Sequence, residues 1–154
     1  MKKIKTKKGL VSLVSNVDIQ FLSDYKWHSD GHGYLNNRKL GKLHRVILKR
    51  MLNGEIPKNM QVDHVNRNRL DNRRENLRLC TQSENHANKL SKNKWGYKGV
   101  VQHRNKKQYS ALIQKDGKKI HIGLYQTPKE AAIAYNVKAV ELFGQFALLN
   151  KIIS

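Results

Sequence analysis

The stretch Gln61 to Lys89, QVDHVNRNRLDNRRENLRLCTQSENHANK, constrains the fold more than any other. It opens on a short apolar–polar alternation that ends in adjacent Asp63 and His64. A turn-rich run follows, holding Asn66, Arg67, Asn68, Arg69, Asp71, Asn72, Arg73 and Arg74. Alternation returns at Asn76-Leu77-Arg78-Leu79, the signature of a second strand. Thr81 with Glu84 three residues on is a capping-box start for a helix carrying Asn85. The order strand, polar loop, strand, helix gathers a carboxylate, an imidazole and amide oxygens among arginines. Such a set suits metal-assisted chemistry on phosphate.

Charge narrows the partner. The chain has 31 Lys+Arg against 11 Asp+Glu over 154 residues, a formal net charge of +20. An excess of this size in a chain with apolar periodicity points to a polyanion, nucleic acid first. It is uneven: 13 basic against 4 acidic residues over 1–58, 6 against 4 over 61–89, and 9 against 1 over 91–125. The segment richest in polar chemistry is the least basic, flanked by two phosphate-gripping arms. Cys80 is the single cysteine, which removes a disulfide partner and a cysteine-based zinc site. No run has the length of a membrane span, and Lys2 to Lys8 lacks the apolar core of a signal peptide. A protein of the cytoplasm, in a bacterial or phage-infected cell, is the expectation.

Before the central stretch, residues 1–9 read as a lysine-rich solvated end and Leu10–Val14 as a strand. Val17–Leu22 reads as a helical turn ending near Asp24, and Tyr25–His28 as a returning strand. Gly31-His32-Gly33 is a turn with strand from Tyr34, and Arg45–Leu52 has helical spacing with a stop at Gly54. His28 and His32 take structural roles, and His44 stays open between a structural and a ligand role.

From Trp95 the periodicity becomes that of strands, at Lys98–Arg104, Gln108–Gln114 and Lys118–Gln126. Thr127-Pro128-Lys129-Glu130 then supplies an N-cap, proline at the first helical position and glutamate at the third. The helix should run to Phe143 with Gly144 just beyond, its apolar stripe being Ala132, Tyr135, Ala139, Leu142 and Phe143. Alternation places Ala111, Ile113, Ile120, Ile122 and Leu124 beneath it. Val101, His103, Leu112, Gln114, Lys119 and His121 fall on the opposite face, which a DNA major groove can accept.

Two resemblances follow. Asp63-His64, Asp71-Asn72-Arg73, Glu75-Asn76-Leu77 and Ser83-Glu84-Asn85 resemble the HNH motif of phage-type homing endonucleases. Tyr97-Lys98-Gly99-Val100, Ile122-Gly123-Leu124-Tyr125, Thr127–Ala132 with Ala134-Tyr135, and Leu148-Leu149-Asn150 resemble the AP2/ERF DNA-binding domain. Val101 and Leu112 stand where plant members place arginine and glutamate, so the sheet-in-groove mode carries over and the plant target does not.

The first resemblance implies that His64 is a general base and that Asn76 holds the loop and so orients His64. It implies Asp63 as a ligand to Mg²⁺, or another divalent ion such as Mn²⁺, with Asn85 or the adjacent His86 as the second. Asn85 matches the spacing of the variant family. Arg67, Arg69 and Arg73 would clamp phosphate. The DNA-contacting set in the second module would be Lys98, Val101, His103, Arg104, Lys106, Lys107, Gln114, Lys119 and His121.

The expectation is an α+β chain in two modules. Residues 1–90 form the nuclease, with strands and helices over 1–58 around a ββα-metal core at 59–90. Residues 91–154 form a three-stranded antiparallel sheet packed on one helix. Its activity is metal-dependent hydrolysis of double-stranded DNA by a monomer or weak dimer. A non-catalytic, sequence-specific DNA-binding regulator is the alternative.

Overall fold

A computed structural model describes residues 2–90, 93, 95–102 and 107–152, and the chain divides into two compact units, Met1–Thr81 and Gln82–Ser154.

The first unit is α+β. Strands β1 (Lys2–Lys5) and β2 (Val11–Val14) form an antiparallel hairpin in the register Lys2↔Val14 to Lys5↔Val11. This corrects the expectation of a solvated lysine-rich end. Ile4 buries its side chain against the core, and its lysine neighbours on the strand face water, as period-two alternation requires. Helix α1 (Asn16–Ser23) leads through buried Trp27 to a small sheet of β3 (His28–Ser29), β4 (Leu35–Asn37) and β5 (Gly41–Lys42). The return strand thus begins at His28, not Tyr25. Trp27 is drawn inward, its indole N–H donating to the Leu22 carbonyl at 3.0 Å.

Helix α2 (Leu43–Leu52) follows, with Leu43, Ile47 and Leu48 buried at helical spacing. Its left-handed cap is Asn53 (φ 51°) rather than the expected Gly54, whose N–H closes back on the Lys49 carbonyl at 3.1 Å. Strand β6 (Gln61–His64), the two-residue strand β7 (Asp71–Asn72) and β8 (Leu77–Cys80) carry the central motif. β6 and β8 pair antiparallel, while β7 joins β2 in parallel, Leu13 opposite Asp71 and Val14 opposite Asn72. Asp18, fully buried on α1, binds Arg74 at 2.7 and 2.8 Å and Arg50 at 3.1 Å. Burial alone would raise its carboxyl pKa, but these guanidinium bonds hold it below the usual range.

The second unit begins with α3 (Gln82–Ala87). Strands β9 (Val100–Gln102), β10 (Tyr109–Lys115) and β11 (Lys118–Tyr125) form an antiparallel sheet in the order β11-β10-β9. Helix α4 (Pro128–Phe143) packs on it, and both halves of the Thr127–Glu130 capping box are formed. Ala131, Ala132, Tyr135, Ala139 and Phe143 are its buried residues. Gly99 (φ +75°) lies so close beneath Tyr135 that a Cβ would sit 2.1 Å from the ring.

Leu124 departs from its expected place under the helix and is 46% exposed. A bulge pairs Ala111 with Gly123 but Leu112 with His121, skipping Ile122. The extra residue inverts alternation beyond it, so Tyr125 turns inward and Leu124 outward.

Candidate active site

The β6–β8 register sets Asp63 opposite Arg78 and His64 opposite Leu77. Arg78 grips Asp63 Oδ2 through Nε at 2.9 Å and Nη2 at 2.8 Å, so the carboxylate is oriented from the neighbouring strand. His64, one residue on, is buried against two rings, Tyr34 at 6.1 Å and His44 at 5.3 Å between centroids. Burial pushes the His64 imidazole below its ordinary pKa, against the opposing pull of Asn72, Asp63 and Asp71. The ring is therefore neutral near pH 7, the state a proton acceptor needs.

The loop that follows is closed by asparagines. Asn76 Oδ1 accepts from the Asn66 backbone N–H at 2.9 Å, while its Nδ2 donates to Asn66 Oδ1 at 2.9 Å and to the Asp71 carbonyl at 2.7 Å. The Val65 N–H meets the Asn76 carbonyl at 2.9 Å. One amide thus ties both ends of the 65–72 loop, whose turn Arg67 completes at φ 64°. Asp71 is clasped by Asn66 at 2.7 Å and by Arg73 through two 2.7 Å bonds, and the Arg73 guanidinium holds its carboxyl below the usual range.

Asn72 carries more than a turn. It is 1% exposed, and its Oδ1 lies 3.1 Å from His64 Nε2. Its Nδ2 donates to Ser12 Oγ at 2.8 Å and to the Arg69 carbonyl at 3.2 Å. The Ser12 hydroxyl in turn donates to the Leu70 carbonyl at 2.9 Å. Two acceptors on the amide nitrogen fix which end of the side chain meets the imidazole. An oxygen at that position requires His64 Nε2 to carry the proton, which makes Nδ1 the lone-pair nitrogen.

The predicted phosphate clamps separate. Arg73 is engaged by Asp71 and Glu75, both at 2.7 Å. Arg69 lies over the Tyr34 ring at 4.8 Å and donates to the His32 carbonyl at 2.5 Å. Arg67 is exposed. In the second unit Asn85 lies half-buried on α3, with His86 exposed beside it. The Lys98 ammonium caps the C-terminal end of that helix, donating to the Ala87 carbonyl and to the His86 carbonyl at 3.1 Å. Val101, Gln114, Lys119 and His121 are exposed on the sheet, as is Lys107 before β10. His103, Arg104 and Lys106 lie outside the described residues.

Sequence reasoning missed the roles of Ser12, Tyr34, Asn72 and Leu124. Ser12 and Tyr34 carry no local signal, because their partners lie far along the chain. His44, left open, is buried with its ring 4.9 Å from Tyr34 and its pKa pushed down to about 3 by burial.

Among the described residues no cluster of three or more His, Cys, Asp or Glu side chains could cage a metal. Asp63 carries a carboxylate oxygen and Asn85, in the second unit, an amide oxygen, each a hard donor of the kind that Mg²⁺ accepts alongside waters and phosphate oxygens.

Paired strands bearing Asp and His, an asparagine-closed loop and a following short helix define a nuclease of the HNH class. Residues 42–87 match the HNH endonuclease family. The chain is 39% identical over 148 residues to an uncharacterized HNH endonuclease of Acanthamoeba polyphaga mimivirus, covering 94% of this chain and 77% of that protein. It is 31% identical over 97 residues to Protein 3.8 of Escherichia phage T7, covering 62% of this chain and 79% of that protein. The chain belongs to the HNH endonuclease family. Membership supports a nuclease, implies DNA as its substrate, and brings with it the general dependence of such nucleases on a divalent metal.

Proposed function

We propose that the chain is a DNA endonuclease that hydrolyses phosphodiester bonds with His64 as general base and one divalent ion. The observation that carries this reading is the Asn72 Oδ1 contact to His64 Nε2, which leaves Nδ1 as the basic nitrogen of a buried, neutral ring. Water adds to phosphorus, its proton passes to His64 Nδ1, and the ester oxygen departs from phosphorus. Asn76 keeps the loop closed so that the ring does not swing.

Asp63 offers a carboxylate that Arg78 orients through Oδ2, and Asn85 offers an amide oxygen; both suit Mg²⁺ or Mn²⁺. Such an ion supplies polarisation of the phosphoryl group and stabilisation of the leaving oxygen. Target selection belongs to the helix-free face of the second unit's sheet, whose resemblance to AP2/ERF domains suggests entry into a major groove. Gln114, Lys119 and His121 present donors and acceptors there, and outward-turned Val101 and Leu124 add apolar contact suited to thymine methyls.

Incubating supercoiled plasmid with the wild-type chain and with His64→Ala, in Mg²⁺ and in EDTA, tests the proposal. Nicking or linearisation that needs Mg²⁺ and falls by at least about 10²-fold in the variant is the expected result. Cleavage by His64→Ala at the wild-type rate would remove His64 as the base. Binding without a cut, with several divalent ions and many sequences, would favour a non-catalytic DNA-binding protein.

A further inference from the structure

The first unit holds a second charged feature, outside the residues that match the nuclease family. A groove of about 980 Å³ runs between the tip of the β1–β2 hairpin and the β3–β4 region. Lys7 and Lys8 stand on one wall, Lys26 and Arg38 on the other, and no carboxylate lines it among the described residues. These four side chains are exposed and enter no ion pair among the described residues. Around the nuclease motif the cations are instead neutralised: Arg73 by Asp71 and Glu75, Arg74 by Asp18, and Arg78 by Asp63. Beside His64, Arg69 keeps its charge over the Tyr34 ring, and in the groove four cations keep theirs together.

The groove is held in shape. Thr6, itself buried, accepts from the Leu10 N–H at 3.0 Å through Oγ1, and its backbone closes the turn with Gly9 and Leu10. Lys7 and Lys8 project from this fixed turn. Opposite them, Asn37 Nδ2 donates to the Lys26 carbonyl at 2.9 Å, while Asn37 Oδ1 accepts from the N–H groups of Lys39 and Leu40. That bond fastens the segment bearing Lys26 to the strand before Arg38. Trp27 contributes an apolar floor, its indole N–H already given to Leu22. Its neighbour, a cleft of about 280 Å³ lined by Lys3, Lys5, Lys7 and Lys26, extends the basic track.

We propose that this groove binds the sugar–phosphate backbone of the DNA substrate, beyond the phosphate being cut. Two walls of cations along an open trough suit a continuous polyanion better than a compact one. A single loop joins groove and catalytic centre. Gly31 lines the groove, Asp30 Oδ1 pins the loop by accepting from His32 N–H at 2.8 Å and Tyr34 N–H at 3.1 Å, and the Tyr34 ring faces His64. Backbone held at the groove is thereby directed past the scissile position. The proposal rests on the DNA-endonuclease reading.

The test compares salt dependence of binding to a fluorescently labelled DNA duplex, in a His64→Ala background so that the probe stays intact. One variant adds Lys7→Ala, Lys8→Ala, Lys26→Ala and Arg38→Ala. A control of equal charge change adds Lys58→Ala, Lys89→Ala, Lys129→Ala and Lys151→Ala, all at exposed positions outside the groove. The slope of log affinity against log salt should fall by about three to four for the groove variant, at roughly 0.9 for each phosphate no longer neutralised. The control should change it much less. Equal slopes in variant and control, or a groove variant that binds as its parent does, would overturn the proposal. Should circular dichroism show the quadruple variant unfolded, the pair Lys26→Gln with Arg38→Gln is to give about half the change, and none would again overturn it. A parent chain that binds no duplex at any salt fails at the earlier step and sinks the nuclease reading itself.

Discussion

Buried amides do in this chain what its acids cannot. Asp18, Asp63 and Asp71 each hold an arginine, so the orienting of His64 falls to Asn72 and Asn76. From sequence, Asn72 is indistinguishable from the other asparagines of the loop, because its deciding partner Ser12 lies 60 residues away. Its role makes a sharp prediction. Asn72→Ala removes the acceptor on Nε2 and lets the ring choose either tautomer, and cleavage should fall by about 10²-fold, the scale of a misplaced catalytic group. Asn72→Asp keeps an oxygen there, although its second oxygen faces the Arg69 carbonyl and draws the Ser12 hydroxyl off Leu70. That variant should recover part of the loss, with its pH profile moved toward higher pH because a carboxylate raises the imidazole pKa. Single-turnover cleavage across pH measures both. Equal rates for the two variants would mean that Asn72 is packing alone.

Elements whose rules are local were legible. Helix α4 starts at its capping box and stops at Phe143 before Gly144, because proline, threonine, glutamate and glycine act within a turn of themselves. Strands β6 and β8 and the helix after Thr81 were equally plain. What escaped is pairing at a distance. β1 needs β2 to become a strand, β7 is two residues that exist as a strand only beside β2, and the bulge at Ile122 follows from registers no single strand records.

His44 shows how an element fixes a residue's chemistry: α2 buries it beside Tyr34 and His64, and its pKa drops from 6.5 to about 3. Between those values the unfolded chain binds a proton that the folded chain refuses, so stability rises with pH across the window and is lost as pH falls from 6.5 toward 3. The slope approaches about 1.4 kcal/mol per pH unit at its steepest. Unfolding free energies from urea titrations between pH 7 and 4 should fall for the wild type, and fall less steeply, by up to about 1.4 kcal/mol per pH unit, for His44→Phe, which keeps a ring and cannot protonate. Parallel slopes for the two proteins would contradict the burial of a neutral His44.

Across the whole molecule, a net charge of +20 is divided by task. Arg73, Arg74 and Arg78 are held by internal acids and build the site, Lys7, Lys8, Lys26 and Arg38 in the N-terminal groove remain uncompensated, and Lys119 and His121 occupy the second unit's open sheet. Contacts to phosphate give affinity without sequence, whereas contacts to base edges give sequence at modest cost in affinity. If the sheet is the reading surface, selection and chemistry must come apart on substitution. Lys119→Ala with His121→Ala should leave cutting of non-target DNA near the wild-type rate, since neither residue lies in the unit carrying Asp63 and His64. Preference for a selected site over its competitors should drop by about 10-fold or more, as expected when one or two base contacts worth roughly 1–3 kcal/mol each are removed. Sequencing the ends cut from a randomised library would show it as a flattened target profile. An unchanged profile would place the reading surface elsewhere, and a proportional loss of cutting on every sequence would mean that the sheet grips backbone rather than bases.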